Sequence, residues 1–240
     1  MLKTLRQVTP YNRPAALAFA KMITHKEKGN VDKITHWLVE KDWIKECTEF
    51  LMDVLTDEPS EDKLQTQLFL INLKKDRKVA EEIFDSGRFT QYDKEKVAQR
   101  CEQIGLFHMA YHNYSSREDQ KRVMLKTTLI PEDDVIQFVS KCNEKETLEI
   151  MQELLSATRK NELVVAKIAD DQIDKIQLRP AVELLERYQC ESGLHYLLSR
   201  QYLTTEEKDI HFRLIELCTQ LEHHDDLKKV FQESNCYDPI

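Results

Sequence analysis

The stretch at residues 98–110 reads AQRCEQIGLFHMA, and its pattern predicts two helices joined by a tight turn. Ala98 and Cys101 are small residues at helical spacing, and Gly105 stands where the chain can reverse. Ala110 follows Leu106 at helical spacing on the other side of the glycine. Small side chains at these positions allow two antiparallel helices to approach closely, so the stretch predicts a helical hairpin.

A second stretch follows the same logic with larger residues, from Leu185 and Tyr188 through Gly193 and Leu194 to Leu197. Two helices and two turns take about 30 residues, so the chain has room for seven or eight successive hairpins. A hairpin of this size cannot bury its apolar side alone, but stacked hairpins bury it against their neighbours. The sequence therefore predicts a degenerate helical repeat.

Apolar residues recur every three to four positions along almost the whole chain, which is typical of amphipathic helices. Capping boxes are predicted at Thr204 with Glu207 and at Asn143 with Glu146. The four glycines, at 29, 87, 105 and 193, are predicted to lie at helix ends. The pattern predicts about fifteen helices, near 14–27, 31–41, 43–56, 60–73, 76–86, 93–104, 106–114, 117–127, 132–142, 144–157, 160–171, 174–188, 191–201, 204–221 and 224–234.

Composition supports an all-α protein and excludes several classes. Gly 4 and Pro 6 in 240 residues supply too few tight turns for a β-sandwich or barrel, and the scattered glycines form no phosphate-binding loop. The formal net charge of −8 argues against nucleic acid as a partner. The longest unbroken apolar run, 15–20, is too short to span a membrane, so no direct membrane insertion is expected.

The start of the chain and its cysteines indicate the expected compartment. No apolar signal core follows Met1, so no export signal is expected. The six cysteines are widely spaced and form no CxxC pair, which argues against a zinc finger or a disulfide scaffold. We therefore expect reduced thiols and a cytoplasmic location.

Candidate chemistry is sparse, and no nucleotide-binding, metalloprotease or serine-hydrolase motif occurs. His108 and His112 have the i, i+4 spacing that places two imidazoles on one helical face, but polar residues on the side of a hairpin explain them better than a metal. The run 223–226, HHDD, resembles a metal-binding cluster. It fits better as the loop before the last helix, with Asp225 or Asp226 as the helix cap.

Other reactive or recognisable side chains have structural interpretations. Cys101 has no nucleophile signature around it and is predicted to be packed in the core. The adjacent carboxylates at 81–82, 133–134, 170–171 and 206–207 diverge by about 100° on a helix, so they are not expected to share a proton. Trp37 and Trp43 flank a predicted turn and are predicted to pack in the core, with a partner-binding anchor as the alternative. No catalytic, cofactor-binding or metal residue is therefore assigned.

Beyond these patterns, specific strings stand out: IKECTEFLMDVL at 44–55, VAEEI at 79–83, FTQYD at 89–93, AQRCE at 98–102, GLHYLL at 193–198 and ESNCYDP at 233–239. In order and approximate spacing, from about residue 37 to 239, these strings resemble the clathrin heavy chain family. Residues 1–30 and 158–180 match less clearly.

This resemblance implies a fold and a role. The fold would be a right-handed α-solenoid of stacked antiparallel hairpins, continuous over residues 1–240, within the ankle and distal-leg region of a longer heavy chain. The role would be structural: heavy-chain legs interlock into a polyhedral lattice on coated pits and vesicles during endocytosis and intracellular protein transport.

The resemblance also implies partners and leaves alternatives. The expected partners are other heavy-chain legs, with clathrin light chain and adaptors bound through regions of the full-length protein outside this segment. The expected location is the cytosolic face of coated pits and coated vesicles, and no cofactor is expected. The alternatives are a helical-repeat subunit of a vacuolar-sorting or tethering complex and an all-helical enzyme with a hydrated or metal site.

Overall fold

Helices follow one another along the chain with short connections. The computed structural model describes residues 13–26, 30–57 and 61–233. In this part of the chain there is no strand, and short 3-10 segments lie at Arg159–Asn161 and Tyr202–Thr204. The α-helices are α1 (Arg13–Lys26), α2 (Val31–Glu40), α3 (Ile44–Asp57), α4 (Asp62–Lys75), α5 (Arg77–Asp85), α6 (Lys94–Gln103), α7 (Phe107–Asn113), α8 (Arg117–Leu125), α9 (Glu132–Ser140), α10 (Glu144–Ala157), α11 (Glu162–Asp171), α12 (Ile173–Ile176), α13 (Leu178–Arg187), α14 (Glu191–Gln201), α15 (Lys208–Gln220) and α16 (His224–Glu233).

The all-α prediction is confirmed, and one predicted helix is divided in two. The helix expected at 174–188 is instead α12 and α13, separated by Gln177 with φ +61°. Pro180 explains the break, because its nitrogen cannot donate to the carbonyl of Ile176 and its ring crowds that turn. Pro180 is tolerated in the first turn of α13, where helix N–H groups have no intrahelical partner.

One of the two predicted capping boxes is confirmed and the other is wrong. At the start of α10, Glu146 N donates to Asn143 Oδ1 (2.9 Å) and Asn143 N donates to Glu146 Oε2 (3.3 Å). The box at 204–207 does not form, because α15 begins only at Lys208. Thr204 Oγ1 donates instead to the carbonyl of Gln201 (2.7 Å), which closes the preceding 3-10 segment.

In the part of the chain that the structure describes, four helix-to-helix turns share one hydrogen-bond pattern. Between α6 and α7, Leu106 N donates to Cys101 O (2.9 Å) and Gly105 N donates to Glu102 O (3.2 Å), with Gly105 at φ +82°. This is the Schellman arrangement, in which a left-handed residue ends the helix. The same pattern recurs at 38–43, 185–190 and 218–223, with left-handed Asp42, Gln189 and Glu222.

These turns correct the register of the repeat. The sequence pattern aligned Gly105 with Gly193. In the structure the residue equivalent to Gly105 is Gln189, four residues earlier in the chain. Gly193 lies inside the first turn of α14, so its predicted place at a helix end is wrong. Gly87 does follow the end of α5, with φ +61°. Gly29 lies outside the described residues.

At the left-handed turn residues, replacing a glycine and introducing a glycine should have opposite effects on the free energy of unfolding. We expect Gly105→Ala to lower the free energy of unfolding by about 1–2 kcal/mol, because an L-residue pays a steric cost at positive φ. The cost is purely conformational, since an added Cβ would meet no atom within 4 Å. Glu222→Gly should raise that free energy, by less than about 1 kcal/mol, because glycine relieves strain but gains entropy when unfolded.

Urea denaturation followed by circular dichroism measures both changes. Gly105→Asn is the control, because asparagine tolerates the left-handed region better than alanine and should cost less. If Gly105→Ala and Glu222→Gly change the free energy of unfolding in the same direction, the assignment of left-handed residues to these turns is contradicted.

The described residues divide into two compact units, one up to Val123 and one from Met124 onward. In the first unit, α3 packs against α1, α2 and α4, while α4 also contacts α5 and α6, and α6 packs on α7. Phe50, Leu51 and Phe69 are fully buried between these helices. The core of this unit is therefore assembled from helices close together in the sequence.

In the second unit, the most extensive helix packing is between α11 and α14. An ideal Cβ on Gly193 would lie 2.7 Å from the carbonyl oxygen of Glu162 and 3.5 Å from the Cβ of Ala166. The helices meet this closely because α11 presents small residues, including the fully buried Ala166 and Ala169. The helix α15 packs on α14, and α16 packs on α15.

In both units the main packing partners lie no more than three helices apart along the chain, as a helical repeat requires. The single continuous solenoid expected for residues 1–240 stays a prediction. Among the described helices, none is long and apolar enough to cross a bilayer.

Candidate functional site

Ion pairs recur between helices of successive hairpins, joining residues 27 to 35 positions apart. We call this set the inter-hairpin ladder. Its side chains are mostly exposed, so each pair alone stabilises the fold little. Its members are Arg13–Glu46, Lys21–Asp53 and Asp42–Lys75 in the first unit, and Glu132–Lys167, Asp170–Arg200, Arg179–Glu207, Arg179–Asp209 and Glu186–Arg213 in the second.

The ladder repeats at the length of one hairpin, which is the spacing that the sequence predicted. Arg179 illustrates its geometry, since its guanidinium contacts Glu207 and donates to Asp209 Oδ2 at 2.6 Å. Hydrogen bonding from Arg179 lowers the pKa of Asp209, so the contact is kept as a charge pair at neutral pH. The ladder therefore orders polar side chains on the surface and leaves them accessible to partners.

Buried polar side chains hold the segment before α6 against α4. Gln65, 1% exposed, accepts a hydrogen bond from Gln91 N through Oε1 at 2.9 Å. Thr66 Oγ1 accepts from Asp93 N at 2.9 Å and donates to Asp62 O at 2.8 Å. These bonds satisfy backbone donors in a segment that has no helical partners of its own.

The same joint continues to α7 through Tyr92. The Tyr92 hydroxyl donates to Asn113 Oδ1 at 2.7 Å, and Asn113 Nδ2 donates to Met109 O at 2.7 Å. The Tyr92 ring lies 4.3 Å from the ring of Phe69 on α4. Burial raises the pKa of Tyr92, so its hydroxyl stays a donor across the physiological range. We call residues 65, 66, 92 and 113 the buried polar joint.

The predicted histidine pair on α7 does share one face. The rings of His108 and His112 meet edge to face, with centroids 4.5 Å apart, and both lie near the ring of Phe84. The two rings therefore pack against each other and beside Phe84, and the interpretation of this pair as structural stays a prediction.

The run 223–226 forms the turn and first helical turn before α16. The helix begins at His224, so the prediction that Asp225 or Asp226 caps it is wrong: both lie inside its first turn. The structure places one more histidine, His195 of α14, beside this run. Its ring stacks on His223 with centroids 4.3 Å apart and planes 16° apart.

Asp226 completes this cluster, which the sequence alone did not reveal. Its Oδ2 lies 3.4 Å from His195 Nε2 and 4.0 Å from His223 Nδ1. Burial and the neighbouring His223 lower the pKa of His195, and Asp226 partly offsets them. His195 Nε2 is buried and forms no hydrogen bond with any residue that the structure describes.

The described cysteines are free thiols packed in the core. Burial raises the pKa of Cys47 and of Cys101 to about 12, so neither is a thiolate at neutral pH. This agrees with the prediction that Cys101 is a packing residue. Cys236 lies outside the described residues.

Core packing is confirmed for Trp37 and only in part for Trp43. Trp37 is buried and meets Trp43 edge to face at 5.7 Å across the α2–α3 turn. Trp43 is half-buried, with the Arg13 guanidinium 5.0 Å from its ring. The adjacent carboxylates lie at the surface or half-buried, and Asp170 and Glu207 take part in ion pairs of the second unit.

Large apolar side chains are exposed at a few positions and are candidate partner contacts. Leu203 is 60% exposed and Phe212 is 53% exposed in the second unit. Isolated exposed apolar residues are normal in a folded protein, so these positions alone define no binding surface.

Comparison with known proteins gives a consistent family. A family model described as a region in clathrin and VPS matches residues 23–163. The clathrin heavy chain of Drosophila melanogaster is 28% identical over 239 residues, covering 98% of this chain and 14% of that protein. Clathrin heavy chain 1 of Oryza sativa subsp. japonica is 31% identical over 243 residues, covering 99% of this chain and 14% of that protein.

A human protein gives the same result. Clathrin heavy chain 2 of Homo sapiens is 29% identical over 239 residues, covering 98% of this chain and 15% of that protein. The chain thus spans only about a seventh of the length of the relatives it matches.

Proposed function

The chain belongs to the clathrin and VPS repeat family, and from this membership we propose that it acts as a structural leg segment of a clathrin coat. The observation that carries the proposal is the similarity to clathrin heavy chains over nearly the whole chain. The helical repeat supports it, because a leg must be extended by adding units that need only their neighbours.

The polar surface suits reversible assembly. The inter-hairpin ladder and the net charge of −8 give a surface on which contacts with another leg would be individually weak. Many weak contacts acting together through effective concentration can hold a lattice, and the lattice can still be taken apart. The proposed role needs no catalytic centre.

We place the segment in the ankle or distal leg of a heavy chain, on the cytosolic face of coated pits and vesicles. Its proposed partners are other heavy-chain legs. Light chain and adaptors would bind other parts of the full-length protein. The named relatives are clathrin heavy chains, so a vacuolar-sorting or tethering subunit is not favoured.

A chimaera tests this function. The matching segment of the Drosophila melanogaster heavy chain would be replaced by residues 1–240, and cage assembly of the purified protein would be followed by light scattering and electron microscopy. We expect cages, because the family match implies interchangeable leg segments.

A chimaera carrying an unrelated helical repeat of equal length is the control, and it should not form cages. Circular dichroism must show that both chimaeras fold. The proposal fails if the folded chimaera with residues 1–240 assembles no better than this control.

A further inference from the structure

Three side chains with metal-binding atoms meet where α14 packs near the start of α16. His195 lies on α14, His223 ends the turn before α16, and Asp226 lies in the first turn of α16. Their nitrogen and oxygen donors all lie within 4.8 Å of one another. We propose that His195, His223 and Asp226 form a binding site for a divalent transition-metal ion, with zinc as the best fit. This proposal does not rest on the coat function.

The donor separations suit zinc. Zinc is bound by histidine nitrogen and carboxylate oxygen in a tetrahedron, which places any two donors about 3.4 Å apart. His195 Nε2 and Asp226 Oδ2 are already 3.4 Å apart. His223 Nδ1 lies 4.0 Å from the same oxygen and can join them only when its ring changes orientation. Three protein ligands leave the fourth position to water.

The stacked rings define that movement. An imidazole binds a metal in the plane of its ring, so two nearly parallel rings cannot both reach one ion in their present orientation. The His223 backbone is fixed, because its N donates to Cys218 O at 2.8 Å and its carbonyl accepts from Leu227 N at 3.1 Å. Its side chain is half-exposed and can turn out of the stack.

Burial and charge prepare the other two ligands. His195 is 9% exposed, and its Nε2 faces the cluster without a hydrogen-bond partner among the described residues. Asp226 directs Oδ1 toward Lys229 Nζ, 3.5 Å away, and keeps Oδ2 for the histidines.

The chemistry of the donors selects the class of ion. Two imidazoles and one carboxylate favour zinc and its neighbours over magnesium or calcium, which prefer oxygen ligands. His195 and Asp226 are 31 residues apart, the spacing of the inter-hairpin ladder. A bound ion would therefore join successive hairpins where an ion pair joins them elsewhere.

Zinc titration of the purified 240-residue chain by calorimetry, at about pH 7, tests the site. The parent protein carries His112→Gln, so that the pair His108 and His112 on α7 cannot bind zinc in its place. We expect one zinc ion per chain. His195→Gln and Asp226→Asn should each weaken binding at least about tenfold, whereas His224→Gln, a neighbour outside the cluster, should leave the affinity unchanged.

Thermal unfolding gives a second readout. Zinc should raise the midpoint of the parent but not that of Asp226→Asn, because only binding to the folded state stabilises it. Asp226 is partly exposed, so Asp226→Asn keeps the test valid if His195→Gln does not fold. The proposal is overturned if the folded parent takes up no zinc, or if Asp226→Asn binds it as tightly as the parent.

Discussion

Replacing Gly193 with valine should lower the free energy of unfolding by about 3 kcal/mol, because there is no room for its side chain between α11 and α14. An ideal Cβ at this position lies 2.7 Å from the carbonyl oxygen of Glu162. That oxygen belongs to the backbone of α11 and cannot rotate away, so the two helices must separate. Separation would loosen the packing around Ala166 and Leu197, which are both buried.

Two alanine substitutions at adjacent positions separate packing from helix propensity. Gly193→Ala should destabilise the protein even though alanine favours a helix over glycine by about 1 kcal/mol. Ser192→Ala, at the exposed neighbouring position, should be neutral or slightly stabilising. Urea denaturation measures all three variants, and a stabilising Gly193→Ala would refute the close approach of α11 and α14.

Truncating Phe69 to alanine should cost about 3–5 kcal/mol, the usual loss for a large aromatic side chain removed from a core. Phe69 is fully buried on α4, and its ring lies 4.3 Å from the ring of Tyr92. The change would leave a cavity beside Tyr92, whose hydroxyl anchors the buried polar joint to Asn113. Chemical denaturation gives the loss in stability.

Hydrogen exchange shows where that loss falls. Because a repeat protein is stabilised by neighbour contacts, amides of α3 to α6 should exchange faster in Phe69→Ala, while amides of α14 to α16 keep their protection. Phe212→Ala is the matched control, since this phenylalanine is 53% exposed and its loss should change stability by about 0.5 kcal/mol or less. Uniform loss of protection along the chain would contradict local stabilisation.

Local signals in the sequence are sufficient to predict most of the helices. The apolar period gave α10 and α14 with their observed bounds, and the Asn143 capping box marks the first of them. The prediction failed at 174–188, where the apolar period continues across Gln177. Pro180 lies in the first turn of α13, and its effect on the carbonyl of Ile176 requires the preceding helix to stop there.

Contacts between hairpins could not be predicted from local signals. Glycine is a residue type typical of turns, and only the neighbouring helix shows that Gly193 is needed for close packing. His195 is separated from His223 and Asp226 by most of a hairpin, so no motif search joins them. The signal that could have found the cluster is the repeat itself, since a spacing of about 30 residues pairs His195 with the start of the next hairpin.

The regular spacing of the inter-hairpin ladder constrains how such a chain can change in length during evolution. Each ion pair joins one hairpin to the next, as Arg200 does with Asp170 at a separation of 30 residues. Duplication or loss of a whole hairpin brings equivalent residues back into register, whereas an insertion of half that length inside a helix would misalign the ion pairs that span it. Chains of this family should therefore lengthen and shorten by whole hairpins, and smaller insertions or deletions should be restricted to the turns.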